Sequence, residues 1–489
     1  MSEDSVKENT TGYDASIVTP CDASYEQARQ GWNRAIQQYP CQIVYCQSAE
    51  DVAAAVQWAG KQGIPLRVRS GRHNYEGYSN GNGAMVIDVS QMHNLQIDEA
   101  AGTLRVGGGV TNRQLYAYVS AQGYPFPGGT CPTVGVSGYA LGGGWGLSCR
   151  LFGLGCDNLR ELQLINARGE LLTANSSENA DLFWACRGAG GGNFGVVVSL
   201  LFALPPKVEY VTVIELDYLH TTIQRQADFL RAWCSWLEQA DNRMTLVGRI
   251  YRSERDGTAM LLRGIFYGSP EEAAQMVEVF LALEPTGQAF SYVPFLEATE
   301  ILGGGYPPSE KFAAVSRFSS GESIARNASK LVQLLEDSSA GAVFEGLSLY
   351  ALGGKVAEAA NDDTAFFYRR ADSILWLQSV WEEDSFAEEN RCWVANRVPA
   401  LSAVTIGSYV NFPYDCLPCS LGEYYGPHTN RLCAVKRKYD PCNVFSFPQG
   451  IFPSCTNVCP CKRAESPAVD MALQGEEKDT LGYRGFRYV

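Results

Sequence analysis

The apolar and polar positions near the start of the chain predict a β-α-β unit. Residues 42–45 form a short apolar run typical of a strand, and residues 64–68 form another. Between the two runs, apolar side chains recur at helical spacing, at Val52, Val56 and Ala59. Ser48 suits a helix N-cap, Asp51 is placed to complete a capping box, and Gly63 suits the position just after the helix. The helix is therefore expected to connect the two strands.

From this unit to about residue 205, the pattern changes to predicted strands separated by very glycine-rich turns. The turns read NGNG, VGGGV, FPGGTC, LGGGWG and GAGGGNFG. A single glycine in a turn usually supplies a positive φ angle. So many of them in one half of the chain indicate backbone that lies against a large flat or phosphorylated ligand.

Residues 206 to about 410 have fewer glycine clusters and a clearer alternation of strands with amphipathic helices. Strands are predicted over 244–252 and 260–268, and helices over 226–240 and 271–284. This pattern favours an α+β domain with an antiparallel sheet. The segment that follows returns to loops and helix, and the chain contains no internal repeat.

Length and composition indicate a soluble protein with two large domains. At 489 residues the chain is too long for one ordinary core, and its 46% hydrophobic and 19% charged residues are typical of globular proteins. No run of eighteen apolar residues occurs, so we expect no membrane span. A net charge of −14 opposes binding to nucleic acid, because the phosphate backbone is also negative. The polar N-terminal segment lacks the apolar core of a secretory signal, so a cytoplasmic location is expected.

Two clusters among the sixteen cysteines admit a metal site. Cys416 and Cys419 have the spacing of a ligand pair, and Cys455, Cys459 and Cys461 follow near the C-terminus. Four of these thiolates would complete a zinc or iron–sulfur site. Reduced thiols without a metal, or a disulfide in an exported protein, are the alternatives. Because isolated C-x-x-C pairs are common by chance, we predict that the protein holds no metal.

Several nucleotide-binding and catalytic patterns are absent or stand in the wrong context. Gly190, Gly192 and Gly195 spell G-x-G-x-x-G, but they follow a helix-like segment and precede a strand, the reverse of a dinucleotide fold. The chain has no G-x-x-x-x-G-K-[ST] loop, no G-x-S-x-G elbow and no H-x-x-x-H pair among its four histidines. His73 in RSGRHNYEG and Cys131 after a Pro-Gly-Gly turn remain as candidates. Taken alone, His73 is more readily explained as a surface histidine, and Cys131 as an inert buried thiol.

Five segments of the chain, in the same order, resemble the berberine bridge enzyme-like branch of the FAD-linked oxidases. These segments are 69–77, 127–159, 181–197, 408–413 and 423–451. The similarity begins near residue 40 and is loose only in the middle of the chain. Several independent motifs in one order make the resemblance specific.

The resemblance implies an α+β fold with two domains. A PCMH-type FAD-binding domain is expected in two parts, at 1–205 and at 412–465. An α+β substrate-binding domain with an antiparallel sheet is expected at 206–411. Residues 466–489 are expected to form a polar tail.

The resemblance also implies FAD that is bonded covalently at two points. His73 corresponds to the family position bonded to the 8α-methyl group of the flavin, and Cys131 to the position bonded through sulfur to C6. The other predicted contacts of the cofactor are Arg69, Ser70, Gly71, Arg72, Asn74, Val134, Gly135, Gly138, Tyr139, Gly142, Gly143, Gly144, Gly146, Asn193, Gly195, Val197, Tyr409 and Asn411. Two bonds withdraw electron density from the ring and fix it, which suits an oxidant of high potential.

The implied reaction is the two-electron oxidation of a hydroxyl group on a small molecule, followed by reoxidation of the flavin by dioxygen. A sugar hemiacetal, a secondary alcohol or a benzylic alcohol would serve as the substrate. Tyr409 corresponds to the family tyrosine that takes the hydroxyl proton, with a packing role as its alternative. Val134 corresponds to the residue that controls access of dioxygen, where a small side chain goes with oxidase behaviour. A dehydrogenase with another electron acceptor and a flavin-binding protein without turnover remain open, as does the oligomeric state.

Three positions depart from the family pattern. Arg72 stands where the family has glycine, and Tyr139 where it has a histidine that supports the flavin. The strand expected within 366–381 often carries a second catalytic side chain in the family. Here it offers Leu375 or Trp376, neither of which titrates, so the sequence identifies no second catalytic group.

Overall fold

The computed structural model of the protein describes residues 15–454, and its first sheet contains the predicted β-α-β unit. The strands of this sheet are β1 (Ser16–Val18), β2 (Gln42–Tyr45), β3 (Leu66–Arg69) and β4 (Met85–Asp88). Their spatial order is β1-β2-β4-β3, with β4 parallel to both of its neighbours and β1 antiparallel to β2. The two strands predicted as one unit are therefore separated by β4, which the local pattern does not reveal.

Two further sheets are antiparallel throughout. The five-stranded sheet contains β5 (Leu95–Asp98), β6 (Thr103–Gly107), β7 (Leu159–Ile165), β8 (Leu171–Asn175) and β9 (Val196–Ala203). The seven-stranded sheet contains β10 (Tyr210–Tyr218), β11 (Met244–Ser253), β12 (Gly257–Phe266), β13 (Gly287–Pro294), β14 (Lys311–Ser319), β15 (Ala342–Ala351) and β16 (Ser373–Trp381). Their orders are β5-β6-β9-β7-β8 and β13-β10-β12-β11-β15-β16-β14. The fold is thus α+β, as predicted.

Helices connect and cover these sheets. They are α1 (Tyr25–Arg29), α2 (Ala49–Gln62), α3 (Asn112–Ser120), α4 (Val136–Leu141), α5 (Cys149–Phe152), α6 (Ala180–Ala185), α7 (Ile223–Gln239), α8 (Pro270–Met276), α9 (Glu278–Leu281), α10 (Phe295–Gly303), α11 (Gly321–Arg326), α12 (Ala328–Gln333), α13 (Lys355–Glu358), α14 (Ala387–Ser402), α15 (Ser420–Tyr425) and α16 (Thr429–Tyr439).

The predicted capping of α2 is confirmed in detail. The Ser48 hydroxyl accepts a hydrogen bond from the Asp51 N–H at 3.1 Å, and the Asp51 carboxylate accepts one from the Ser48 N–H at 3.1 Å. Gly63 ends the helix with a φ angle of 67°, a left-handed conformation that glycine adopts without strain. The second predicted strand begins two residues later than expected, at Leu66.

The predictions for the middle of the chain agree with the structure in kind and differ at the ends. α7 begins at Ile223 rather than at residue 226, because the Thr222 hydroxyl accepts from the Arg225 N–H and caps the helix there. The helix predicted over 271–284 is interrupted at Val277, whose φ and ψ angles are −106° and 18°, and so forms α8 and α9.

The C-terminal part of the described chain is fastened to the loop before β9. The fully buried Lys436 ammonium donates to the carbonyl oxygens of Asn193 and Phe445, both at 2.6 Å, and pairs with Asp440 at 2.7 Å. The Ile451 N–H donates to the Asn193 side chain at 2.9 Å. A buried charge is costly unless it is paired and hydrogen-bonded, so this network favours a single position of the segment. It brings residues that are distant in sequence into one wall.

Some predictions concern residues that the structure does not describe, and the predicted domain bounds remain untested. Cys455, Cys459, Cys461 and the tail at 466–489 lie beyond residue 454. Within residues 15–454, no helix has the length and apolar composition needed to cross a bilayer.

Candidate active site

A deep cavity lies where the glycine-rich first part of the chain, the seven-stranded sheet and the C-terminal segment meet. The empty space between its walls is about 1870 Å³, a volume that also counts the solvent at its open mouth. Most of the predicted site residues line it: Ser70, Gly71, Arg72, His73, Asn74, Cys131, Val134, Gly135, Gly138, Tyr139, Asn193, Gly195, Val197, Tyr409 and Asn411. The fold thus brings together side chains from four separate sequence motifs.

Five predicted contacts of the cofactor are not among the side chains and backbone that line the cavity, and their assignment stays a prediction. They are Arg69, Gly142, Gly143, Gly144 and Gly146. The buried Arg69 guanidinium pairs with Asp88 at 2.6 Å and donates to the Ala28 carbonyl oxygen at 2.9 Å. The four glycines allow close packing, since an added Cβ at Gly142 would lie 1.9 Å from the Asn411 side chain. These residues shape the cavity without facing it.

His73 and Cys131 are held next to each other by the hydroxyl group of Thr133. The Thr133 Oγ1 lies 2.7 Å from His73 Nε2 and 3.6 Å from Cys131 Sγ. The His73 ring also stacks on Trp32, with 5.3 Å between the ring centroids. Two nucleophilic side chains from separate motifs therefore face the cavity at one point.

Burial controls the protonation of both nucleophiles. It lowers the pKa of His73 to about 3, so the imidazole is neutral and keeps a lone pair at ordinary pH. Burial also raises the pKa of the Cys131 thiol, and the hydrogen bond to Thr133 opposes this effect. The histidine is therefore ready to react as a nucleophile, while the cysteine depends on its neighbours to lose a proton.

Glycine backbone forms two facing walls at the narrow part of the cavity. An added Cβ at Gly71 would lie 2.2 Å from the Gly135 nitrogen, so these two segments touch through backbone alone. An added Cβ at Gly138 would meet no atom within 4 Å, and one at Gly191 would lie 3.8 Å from the Gly138 Cα. The missing side chains leave a slot between the walls.

Arg67 supplies a positive charge to the same part of the cavity. Its Nη1 donates to the Ser446 carbonyl oxygen at 2.6 Å, and its buried Nε has no hydrogen-bond partner within residues 15–454. Over the same range Arg67 forms no ion pair. A half-buried guanidinium that lines a cavity and pairs with no carboxylate suits an anionic ligand such as a pyrophosphate. Together with the glycine slot, this donor fits the FAD that the sequence predicts.

Tyr409 is buried, and its hydroxyl oxygen accepts three hydrogen bonds. The N–H groups of Gly144 and Trp145 donate to it at 2.9 and 3.1 Å, and the Asn411 amide donates at 3.0 Å. Burial raises the pKa of Tyr409 to about 12, against the three hydrogen bonds, which lower it. A negative phenolate oxygen accepts three donors readily, so the cage is arranged to stabilise the deprotonated form.

The register of the seven-stranded sheet decides between Leu375 and Trp376. Trp376 lines the cavity, opposite Ser348 on β15. Leu375 is fully buried on the other face, the one on which the Trp233 Nε1 of α7 donates to Ser373 at 3.0 Å. The strand therefore presents an indole to the cavity and no titratable group.

Tyr350 on the neighbouring strand is a titratable group close to that indole, with 6.3 Å between the two ring centroids. It lines the cavity two residues after Ser348, on the same face. The buried Arg249 of β11 lies opposite Ser348 and donates to its hydroxyl at 2.7 Å. Burial raises the pKa of Tyr350, and the positive charge of Arg249 is the main influence that opposes the rise.

The two departures from the family pattern have visible structural roles. Arg72 has a φ angle of 64°, a left-handed conformation that favours the glycine of the family. Its Nη2 donates to the Tyr45 hydroxyl at 3.0 Å, which ties the strained residue to β2. The Tyr139 hydroxyl lies 2.7 and 2.8 Å from the carbonyl oxygens of Pro127 and Gly144, so it braces two glycine-rich turns.

Sequence reasoning missed four residues that shape this cavity: Trp32, Arg67, Thr133 and Tyr350. Thr133 stands between Cys131 and the predicted Val134, and its position alone was a usable signal. Nothing in the local sequence distinguishes the other three, because they come from segments without a motif.

We expect Gly138→Leu to block FAD binding without harming the fold. The residue lies inside α4, where replacing glycine gains about 1 kcal/mol of helix stability, and its new side chain would enter the slot. The purified variant should keep the melting temperature of flavin-free wild type, or exceed it, but show less than a tenth of the normal flavin absorbance. Gly138→Ala, which adds one methyl group, should lose less flavin. A leucine variant that carries its full complement of flavin would show that FAD does not occupy the slot at Gly138.

Comparisons with known proteins show a family of FAD-linked oxidoreductases. A family described as FAD binding domain matches residues 40–175, and one described as berberine and berberine like matches 408–452. The uncharacterized FAD-linked oxidoreductase YgaK of Bacillus subtilis (strain 168) is 33% identical over 446 residues, which covers 89% of this chain and 96% of that protein. The xylooligosaccharide oxidase of Thermothelomyces thermophilus is 26% identical over 453 residues, covering 85% of this chain and 88% of that one.

The fold is also found among solved structures. The Physcomitrella patens BBE-like 1 protein superimposes with a TM-score of 0.82 at 27% sequence identity, covering 91% of this chain and 98% of that one. The alignment includes both the glycine-rich part of the chain and the seven-stranded sheet, as its coverage requires.

Proposed function

This chain belongs to the berberine bridge enzyme-like FAD-linked oxidoreductases, and from that premise we propose that it oxidises a hydroxyl group on a small neutral molecule. The substrate class is a sugar hemiacetal, a secondary alcohol or a benzylic alcohol. Dioxygen is the proposed electron acceptor and hydrogen peroxide the second product.

The placement of His73 and Cys131 is the observation that carries the proposal. Both face one cavity and contact one hydroxyl group, that of Thr133. In this position the two side chains would hold the flavin ring at two points, through its 8α-methyl group and C6. The glycine slot and Arg67 would hold the pyrophosphate, and Asn193 and Val197 the nucleotide end.

The residues around Tyr409 supply what a hydroxyl oxidation requires of the protein. FAD, when bound, accepts a hydride from the carbon that carries the hydroxyl group. The hydroxyl proton needs a base, and Tyr409 would take it, since three N–H donors stabilise its phenolate. Asn411 also donates to the Tyr139 carbonyl oxygen at 2.9 Å, which fixes the orientation of its amide.

The lining of the cavity favours a neutral substrate with a flat face. No Asp, Glu or Lys side chain from residues 15–454 lines it, so nothing there would pair with a cationic ligand. Aromatic rings surround the part bounded by the seven-stranded sheet: Tyr75, Tyr306, Tyr350, Trp376 and Phe412. Such rings stack on sugar or aromatic rings. The relative named as a xylooligosaccharide oxidase supports a carbohydrate among the candidates.

Anaerobic bleaching of the flavin by a panel of sugars and aromatic alcohols tests the proposal. A substrate should abolish the visible flavin absorbance within seconds, and readmitted air should restore it with one hydrogen peroxide per turnover. Bleaching without peroxide would indicate a dehydrogenase that uses a quinone or a protein as the acceptor. If no compound bleaches the flavin, the result favours a flavin-binding protein without turnover over an oxidase.

We expect Val134→Leu to slow the reaction with dioxygen while leaving flavin reduction unchanged. Val134 lines the cavity next to Cys131 and is held by its backbone, since its carbonyl oxygen accepts from the Asn112 N–H at 3.0 Å. The longer side chain would occupy space that a diatomic molecule needs. Stopped-flow mixing of photoreduced protein with aerated buffer gives the rate, for which we expect a loss of at least tenfold. Val134→Ala, which enlarges the space, should react with dioxygen at the wild-type rate or faster. Equal rates in all three proteins would contradict control of dioxygen access by residue 134.

A further inference from the structure

We propose that Thr133 is the positioning residue that couples the two covalent attachments of the flavin. The inference rests on the proposed double linkage and goes beyond it, by assigning the control of both bonds to one hydroxyl group. Thr133 Oγ1 lies 2.7 Å from His73 Nε2 and 3.6 Å from Cys131 Sγ. It therefore contacts both nucleophiles at once.

The hydroxyl group has one proton, and this fact links the states of its two neighbours. When Cys131 is a thiolate, the Thr133 O–H donates to the sulfur, and its oxygen then accepts from His73 Nε2–H. In that arrangement the His73 lone pair is on Nδ1. His73 Nδ1 makes no hydrogen bond within the described part of the chain, so it is available to react. The thiolate and the reactive imidazole tautomer are thus favoured together.

Burial sets the protonation of the two side chains that this hydroxyl group contacts. His73 is kept neutral by burial, and the Cys131 thiol has its pKa raised by burial. The hydrogen bond from Thr133 acts against the second effect. Stacking on Trp32 fixes the plane of the imidazole, so the position of Thr133 also sets the direction in which Nδ1 faces.

The two attachments balance in atoms and electrons. In each, a bond forms from nitrogen or sulfur to a flavin carbon, and that carbon loses a hydrogen as a proton. The two electrons of the broken C–H bond stay on the flavin, and after each attachment dioxygen takes them up as hydrogen peroxide. The thiol loses its S–H proton, and the imidazole, once bonded at Nδ1, loses its Nε2 proton; in each attachment this proton and the C–H proton leave with the two electrons in the hydrogen peroxide.

The test compares wild type, Thr133→Val and Thr133→Ser as apoproteins from flavin-deprived cells. Valine keeps the shape of threonine but removes the hydroxyl group, and serine keeps the hydroxyl group. Each apoprotein is mixed with FAD in air, and samples are denatured in acid over time. Mass spectrometry of the digested chain then measures the flavin on the peptide of residue 73 and on that of residue 131. Gel filtration without denaturation measures total FAD binding.

We expect all three proteins to bind FAD, and Thr133→Val to form both bonds about 10- to 100-fold more slowly. Thr133→Ser should recover most of the rate. Wild-type rates for both bonds in the valine variant would overturn the inference, and so would a delay of one bond alone, because coupling requires both. A wild type that forms neither bond would overturn the double linkage itself, which is a different failure.

Discussion

Acid-denatured wild-type protein should keep its yellow flavin on the polypeptide, and it should lose all of it when His73 and Cys131 are both replaced by alanine. Each single variant should retain one bond, since the two side chains approach the cavity from different segments and only share a contact with Thr133. The measurement is precipitation in acid followed by absorbance of the pellet and of the supernatant. The double variant should release all of its flavin as free FAD.

The single variants also separate attachment from binding. The glycine slot and Arg67 do not depend on either nucleophile, so His73→Ala and Cys131→Ala should both still bind FAD before denaturation. Cys131→Ser is the matched control for Cys131→Ala, because it keeps a hydrogen-bonding group of similar size near Thr133. Free FAD released from untreated wild type would exclude the covalent linkage and leave the noncovalent site intact.

Replacing Tyr409 by phenylalanine should lower the rate of flavin reduction by about 10²- to 10⁴-fold, the usual cost of losing a positioned base. The flavin should remain attached, because the hydroxyl oxygen of Tyr409 contacts Gly144, Trp145 and Asn411 and not the nucleophiles. Stopped-flow reduction by a substrate found in the bleaching screen gives the rate.

The pH dependence tests the role of Tyr409 independently. A base acts in its deprotonated form, and the pKa of Tyr409 is raised to about 12 by burial. The rate of reduction in wild type should therefore still rise with pH up to at least pH 10, while the phenylalanine variant should not show this rise. A variant with the wild-type rate would reassign Tyr409 to bracing the turn of Gly144.

Tyr350→Phe is the matched control, because it removes the hydroxyl group of another tyrosine that lines the same cavity. If Tyr409 is the base, the loss of the Tyr350 hydroxyl group should change the reduction rate by less than tenfold. The reverse result would make Tyr350, with Arg249 beside it, the proton acceptor.

The sequence predicts those parts of the fold that depend on near neighbours. The cap of α2 needs only Ser48, Asp51 and Gly63, which lie within one short segment. The position of β4 between β2 and β3 depends on a strand that enters later, and no pattern within the β-α-β unit indicates it. Local chemistry was therefore predictable, while the order of strands was not.

The candidate site shows the same division. The resemblance, and not either motif alone, implied that His73 and Cys131 meet at one site, and both residues line one cavity. Whether Leu375 or Trp376 faces that cavity required the register of β16, since one residue of shift exchanges the two faces of a strand. The resemblance assigned the Gly142–Gly146 turn to the cofactor, and the structure adds that its glycines pack closely: Gly142 against Asn411, and Gly144 and Gly146 against Tyr139.

The proximity of His73 and Cys131 also has a consequence for the unfolded chain. A flavin bonded at both residues would be a cross-link that closes a loop of about 60 residues, much as a disulfide does. Such a loop has fewer conformations when the protein unfolds, and the chain-entropy estimate for this length is roughly 4 kcal/mol of added stability. The cofactor would then raise the thermal stability of the protein in addition to accepting electrons. This added stability would be lost when either of the two bonds is missing, because the loop would no longer be closed.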